Sequence, residues 1–235
     1  MCDNLPVAEL NIPEEPDKTV STVIGEDIVF FTLEHEDSPS NPLEDMDGEG
    51  RIYSFNPRHI NSSRDAVQKA LADPDRVMLD YFEHGLCKWD VGSGSLKGTP
   101  DFEWDGSANA GVWVPDHATV EEANGNGLKG KERAEFMAKR AEGACELYTD
   151  FCNGEVYYYS IKAFRTLLAP EMAANPEVHS AVLDLPSDYR RSMPIYEDSC
   201  GGLYGYSSRD EALKEAATVA LESLAALAKE AAPAI

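Results

Sequence analysis

Cys145-Glu-Leu-Tyr-Thr-Asp-Phe-Cys-Asn-Gly-Glu-Val-Tyr-Tyr-Tyr-Ser-Ile161 is the stretch on which a reading of the fold turns. Asn153-Gly154 stands between two aromatic-rich runs, and that dipeptide tolerates the positive φ angles of a two-residue hairpin turn. Alternation then puts Val156, Tyr158 and Ser160 on one face of a strand and Tyr157, Tyr159 and Ile161 on the other. Both faces carry apolar bulk that needs cover, which predicts a hairpin at the centre of an antiparallel sheet. Leu203 and Tyr204, within Glu197-Asp-Ser-Cys-Gly-Gly-Leu-Tyr-Gly-Tyr206, supply a third strand.

Working outward, Ser208 and Glu211 have the spacing of a capping box. Leu213, Ala217, Ala220, Leu221, Leu224, Leu227 and Ala228 then make one apolar stripe, so a C-terminal amphipathic helix is expected. Upstream, residues 131 to about 148 read as helix, with Ala134, Ala141, Ala144, Cys145 and Tyr148 at helical spacing. Their basic neighbours Lys129, Lys131, Arg133, Lys139 and Arg140 are a solvated face, a partner for an acidic segment or a homodimer contact. Towards the N-terminus, residues 19–33 suggest two strands around Gly25-Glu-Asp27, and Ser62 or Ser63 caps a short helix that Asp73-Pro74 stops. Residues 76–82 read as a strand. The expected fold class is α+β: an antiparallel sheet with a central hairpin, packed by two to three helices including the C-terminal one. Residues 1–18, rich in Pro and carboxylate, read as a flexible acidic arm. Residues 19–235 read as a single domain with a loop-rich segment at 89–130.

Charge is the strongest signal. The 235 residues carry 43 Asp and Glu against 20 Lys and Arg, a net charge of −23, and the first fifty hold fourteen carboxylates against Lys18 alone. Self-repulsion of that size opposes compaction. Direct binding to DNA or RNA is disfavoured, because phosphate contacts need a basic footprint. Two readings remain: acidity for dispersal, or a surface that imitates nucleic acid. In the second, the contact set is Glu34, Glu36, Asp37, Glu44, Asp45, Asp47 and Glu49, continued by Asp101, Glu103 and Asp105.

Motifs for other chemistry fall short. Asp45, Asp47 and Glu49, with Gly50 after them, have the spacing of a calcium loop. Asn56, however, stands where a bidentate Glu is required, and Pro39 and Pro42 occupy the approach helix, so a tight acidic turn is the better reading. Gly92-Ser-Gly-Ser-Leu-Lys-Gly98 lacks the Gly-Lys-Ser/Thr ending of a phosphate loop, and no Gly-x-Ser-x-Gly elbow occurs. No cofactor is indicated. Cys2, Cys87, Cys145, Cys152 and Cys200 contain no Cys-x-x-Cys pair, which suits free thiols in a reducing cytoplasm. No apolar run approaches membrane-spanning length. His35, His59, His84, Asp80, Asp105 and Cys200 are raw material for a metal- or thiol-dependent enzyme, and the Tyr- and Trp-rich loops for an accessory protein-binding module.

Several stretches resemble a family of uncharacterised proteins carried by phages and other mobile elements. They are Asn41-Pro-Leu-Glu-Asp45 with Arg58, His59 and Asn61; Met78-Leu-Asp-Tyr-Phe-Glu-His84 with Trp104-Asp-Gly-Ser107 and Gly111-Val-Trp-Val114; and Asn153-Gly-Glu-Val-Tyr157 with Glu197-Asp-Ser-Cys-Gly-Gly-Leu-Tyr-Gly205. The connection between the last two is longer here, and Gly201 replaces the family's aromatic. The resemblance implies a setting and no activity. With the charge, it leads to the expectation of an anti-defence protein, antirestriction or anti-CRISPR in type, acting in the host cytoplasm on a nucleic-acid-binding protein or defence complex.

Overall fold

The structure, a computed structural model, describes residues 10–24, 27–45, 47–92, 96–165 and 194–231. It is α+β, with two four-stranded antiparallel sheets and long helices. Where the sequence reads as one domain over 19–235, the chain divides into two compact units, residues 1–37 with 156–235, and residues 38–155. Each unit has a sheet, a long covering helix and a core of its own.

In the first unit β1 (Lys18–Ile24), β2 (Asp27–His35), β7 (Val156–Arg165) and β8 (Tyr196–Tyr204) lie in the order β1-β2-β7-β8. Helix α6 (Gly205–Ala231) covers one face. Alternation decides which residues meet it: Val29, Phe31 and Leu33 of β2 and Tyr157, Tyr159 and Ile161 of β7 pack on Leu213, Ala217, Ala220 and Leu224. Burying each of the large side chains contributes about 1.5–3 kcal/mol. The C-terminal stripe is thus as expected, but the helix begins at Gly205, which leaves Ser208 inside the first turns rather than at a cap. The arm also differs: Leu10 is buried in this core, and Asn11 bonds Thr22 and the Ser21 carbonyl. A Leu and a satisfied Asn anchor residues that proline and charge alone make look unattached. Residues 1–9 and the connection 166–193 lie outside the described residues.

The second unit orders its sheet β3-β6-β4-β5, from β3 (Arg51–Ser54), β4 (Val77–His84), β5 (Leu86–Val91) and β6 (Gly106–Val114). Around it lie α1 (Pro42–Asp45), α2 (Arg64–Ala72), α3 (Phe102–Asp105), α4 (His117–Gly125) and α5 (Gly130–Asn153). Trp89, Trp113, Ile52, Leu79 and Tyr81 pack on Met137, Ala141, Ala144, Cys145 and Tyr148 of α5. Ser63 caps α2 by accepting from the Ala66 amide.

Two expectations are corrected here. The Asn153-Gly154 turn is not a hairpin: α5 runs to Asn153, and Gly154 at φ 76° is its left-handed C-terminal cap. Tyr148 and Cys152 continue the helix's buried spacing, so core packing overrides the β-preference of the aromatics. Only the second half of the quoted stretch is a strand, and β7 is an inner strand as its two apolar faces require. The loop-rich 89–130 segment in turn contains β6 and α4. Gly-Ser-Ala-Asn-Ala-Gly has no β-branched or aromatic signal; Gly106 and Ser107 pair with Phe82 and Tyr81 of β4, and from Gly111 the strand, which the sequence reads as strand only over Gly111-Val-Trp-Val114, lies between β3 and β4.

Helix α5 also closes the free edge of β5. The Trp89 amide donates to Thr149 Oγ1 (3.0 Å), and Asn153 both accepts from the Cys87 amide (2.8 Å) and donates to its carbonyl (3.0 Å). Thr149 and Asn153 are four apart, one helical turn, so one face of α5 satisfies an edge that would otherwise be open for pairing.

Candidate functional site

One end of the second unit gathers a polar cleft of about 160 Å³, lined by Asn56, Arg58, Tyr81, Glu83, Trp104, Asp105, Gly106 and Ser107. Its floor comes from β4, where Tyr81 and Glu83 share a face by strand alternation. The Tyr81 hydroxyl donates to Glu83 Oε2 (2.5 Å) and lies 3.0 Å from His59 Nε2, and Arg58 pairs with the same Glu83 oxygen (2.6 Å). Burial first, then the Glu83 carboxylate, pushes the Tyr81 phenol well above its usual value. Conversely, the Tyr81 hydroxyl and then the Arg58 guanidinium hold Glu83 below the usual carboxylate range. The group is therefore a phenol and a carboxylate fixed in their ordinary charge states.

The rim is α3. The ring of Phe102 occupies the place where a Cβ on Gly106 would stand, 2.2 Å from its nearest carbon, so the turn folds back tightly on β6. Asp101 enters it at a left-handed φ of 68°. Trp104 is left 84% exposed, and Asp101 and Glu103, both exposed, make no ion pair among the described residues. Asp105 pairs with His84 Nδ1 (2.8 Å), which raises the imidazole's pKa. Two further exposed apolar side chains adjoin this network: Ile60 (66%) follows His59, and Leu86 (64%) faces His84 across the β4–β5 turn. Ringed contacts of aromatic and aliphatic anchors with polar neighbours are typical of protein-binding hot spots.

The sequence-predicted carboxylates divide between the units. Glu34, Glu36 and Asp37 belong to the first, and Glu44, Asp45, Asp47, Glu49, Asp101, Glu103 and Asp105 to the second. Glu34, Asp37, Glu44 and Asp47 are exposed, and Glu49 is half-buried; the Asp45 side chain lies outside the described residues. Glu36 has an internal task. Tyr157 pairs with Leu203 but Tyr159 with Cys200, so β8 carries one extra residue opposite Tyr158. Gly202 takes φ 67° in this bulge, and its amide donates to Glu36 Oε2 (2.7 Å). The Ser-Cys-Gly-Gly motif is thus a β-bulge clamped by a carboxylate.

The charge itself is spread over both units. Residues 1–37 with 156–235 hold 21 carboxylates against 8 Lys and Arg, and residues 38–155 hold 22 against 12. Three of the four basic residues of α5 are committed locally: Arg133 forks onto Asp75 (2.7 and 2.6 Å), Arg140 pairs with Glu122, and Lys131 with Glu135.

Among the described residues, the turn that carries the calcium-loop spacing is tied up internally. The Gly48 amide donates to Asp116, the N-cap of α4, so the turn binds a carboxylate where a cation loop would present one. Gly50 lies under Trp113, a Cβ there meeting the ring at 2.7 Å, and Trp113 Nε1 donates to the Glu49 carbonyl (2.8 Å). Among the described residues no three His, Cys, Asp or Glu side chains are grouped to hold a metal ion. His35 pairs with Asp17 in the first unit, while Asp80 is buried in the second, accepting from the Asn109 amide (2.9 Å). Cys200 is exposed on β8. No helix among the described residues is long and apolar enough to cross a membrane.

Trp104, Arg58, Tyr81 and Glu83 were not among the sequence-predicted contacts. The sequence does hold a signal for them, in a Trp set among three carboxylates with no apolar partner at helical or strand spacing, and in the i, i+2 pair Tyr81 and Glu83. No family model, no curated protein and no solved structure matches the chain.

Proposed function

We propose that the protein is an acidic, nucleic-acid-mimicking inhibitor, carried by a phage or mobile element, that occupies the Lys/Arg channel of a host nucleic-acid-binding defence protein of restriction or CRISPR type. The observation that carries this reading is the α3 turn. An indole 84% exposed shares this turn with Asp101 and Glu103, carboxylates that form no ion pair among the described residues, on a chain of net charge −23. Nucleic acid offers such a channel aromatic faces beside regularly spaced anions, and Trp104 with its neighbours offers the same two chemistries. The wider excess of carboxylate steers encounter and makes it steeply dependent on salt. The contact set that remains in the second unit after structural tasks are assigned is Asp101, Glu103 and Trp104, with Glu44 and Asp47.

The test is displacement of DNA from restriction and CRISPR effector complexes by the purified protein, repeated with Asp101→Asn, Glu103→Gln and Trp104→Ala combined. Displacement by the wild type and its loss in the triple variant support the reading. An accessory protein-binding module is the second reading, favoured by Ile60 and Leu86, which have no counterpart in nucleic acid. It predicts partner binding that persists at high salt and fails when Ile60 and Leu86 are made polar.

A further inference from the structure

We infer that the cleft beneath Trp104 is a receptor for a single arginine side chain of the partner, and that it selects arginine over lysine. This rests on the proposed reading of a basic partner and goes beyond it by naming the group that is read and the residues that read it.

The cleft's chemistry is lopsided. Its lining holds two carboxylates, Glu83 and Asp105, each with one oxygen already engaged by a neighbour and one left over, beside the Ser107 hydroxyl; the Asn56 amide oxygen is taken by the Arg58 backbone amide. Its cation, Arg58, is already neutralised by Glu83 at 2.6 Å. The Tyr81 hydroxyl is turned to Glu83, so the floor presents no free donor of its own from that ring. Above this stands an open indole face. A group that fits must bring several N–H donors, a positive charge and a flat surface that stacks on an indole. A guanidinium has all three, with five donors in a rigid planar fork, whereas an ammonium has a compact charge, three donors and no plane. Trp is the most favourable ring for a cation, the cation found there is more often Arg, and a guanidinium can also stack flat on the ring. The cleft volume of about 160 Å³ suits one side chain rather than a segment of helix or strand. Asp101 and Glu103, on the same α3 turn, form no ion pair among the described residues and attract cations in general; the exposed indole supplies the discrimination.

The test uses the full chain and two probes, acetyl-arginine-amide and acetyl-lysine-amide, titrated at fixed ionic strength. Binding is followed by the Trp104 indole N–H resonance and by tryptophan fluorescence. The expected result is a saturable shift of the Trp104 signal with the arginine probe, at least about fivefold tighter than with the lysine probe, as the loss of the planar fork requires. Trp104→Ala and, separately, Asp105→Asn reduce arginine binding several-fold while far-UV dichroism stays at the wild-type level. Equal affinity for the two probes, an unmoved Trp104 signal, or undiminished binding in Trp104→Ala overturns the inference. Because these probes need no partner protein, failure here with salt-dependent DNA displacement intact removes only the arginine receptor. Loss of displacement with arginine binding intact removes the mimicry instead.

Discussion

At the scale of single residues, the site depends on a glycine and a histidine more than on the carboxylates that dominate the composition. Gly106 has no room for a methyl, since Phe102 carbons stand 2.2–2.5 Å from where it would lie. Gly106→Ala is expected to cost about 1–3 kcal/mol, the usual penalty of overpacking, read as a lower midpoint in denaturant. It should also alter Trp104 emission, because the α3 turn must open. His84 provides a second check. Its pKa is raised by the hydrogen bond and charge of Asp105, so the pair's contribution is complete below the ordinary value of 6.5 and is lost as pH rises through the raised folded value. Proton NMR titration should place His84 above 6.5, and Asp105→Asn should return it there. A wild-type value at or below 6.5 would mean that the pair does not form in solution. Thiol chemistry is equally specific. In a Cys2→Ser background, exposed Cys200 should label first with a thiol reagent, and buried Cys145, its pKa pushed up by desolvation, last.

At the scale of elements, side chains of α5 do what a further strand would do for β5. Asn153→Ala leaves both backbone groups of Cys87 without their partner and should cost about 1–3 kcal/mol in chemical denaturation. The fork of Arg133 on Asp75 ties the same helix to the segment before β4 and holds the Asp75 carboxyl below its usual range. With the folded pKa depressed, this contribution is complete above the ordinary 3.8 and is lost as pH falls through the lower folded value. Asp75→Asn should therefore flatten the loss of stability below about pH 4. These roles explain how far the sequence could be read. The amphipathic α6, the Ser63-capped α2, the β1–β2 pair and β4 follow from periodicity and caps, which are local. The end of α5 does not, because Phe151, Cys152 and Asn153 have strand-like or turn-like preferences that are overridden by what they cover. Strand β6 is legible only at its end, where Gly111-Val-Trp-Val114 reads as a short strand stopped by Pro115; Gly106 to Ala110 carry no such signal. Within the site, the acidic residues around 101–105 were legible from composition. Their anchor was not, because the exposure of Trp104 depends on Phe102 folding back over Gly106.

At the scale of the whole molecule, the negative charge belongs to both units, so its distribution by itself does not separate dispersal from recognition. What separates them is whether particular carboxylates matter more than their number. If acidity serves dispersal, neutralising Asp101 and Glu103 has the same small effect as neutralising any two exposed acids, such as Glu132 and Glu142 on α5. If it serves recognition, the two pairs differ. The most direct measurement is the affinity for a restriction or CRISPR effector that loses its DNA to the protein, taken across an ionic-strength series for the wild type, the Trp104→Ala, Asp101→Asn, Glu103→Gln triple variant and the Glu132→Gln, Glu142→Gln control. The account predicts an affinity that falls steeply with salt in the wild type, is lost in the triple variant and is retained by the control. A salt-independent affinity, or a triple variant that binds as the control does, would contradict it.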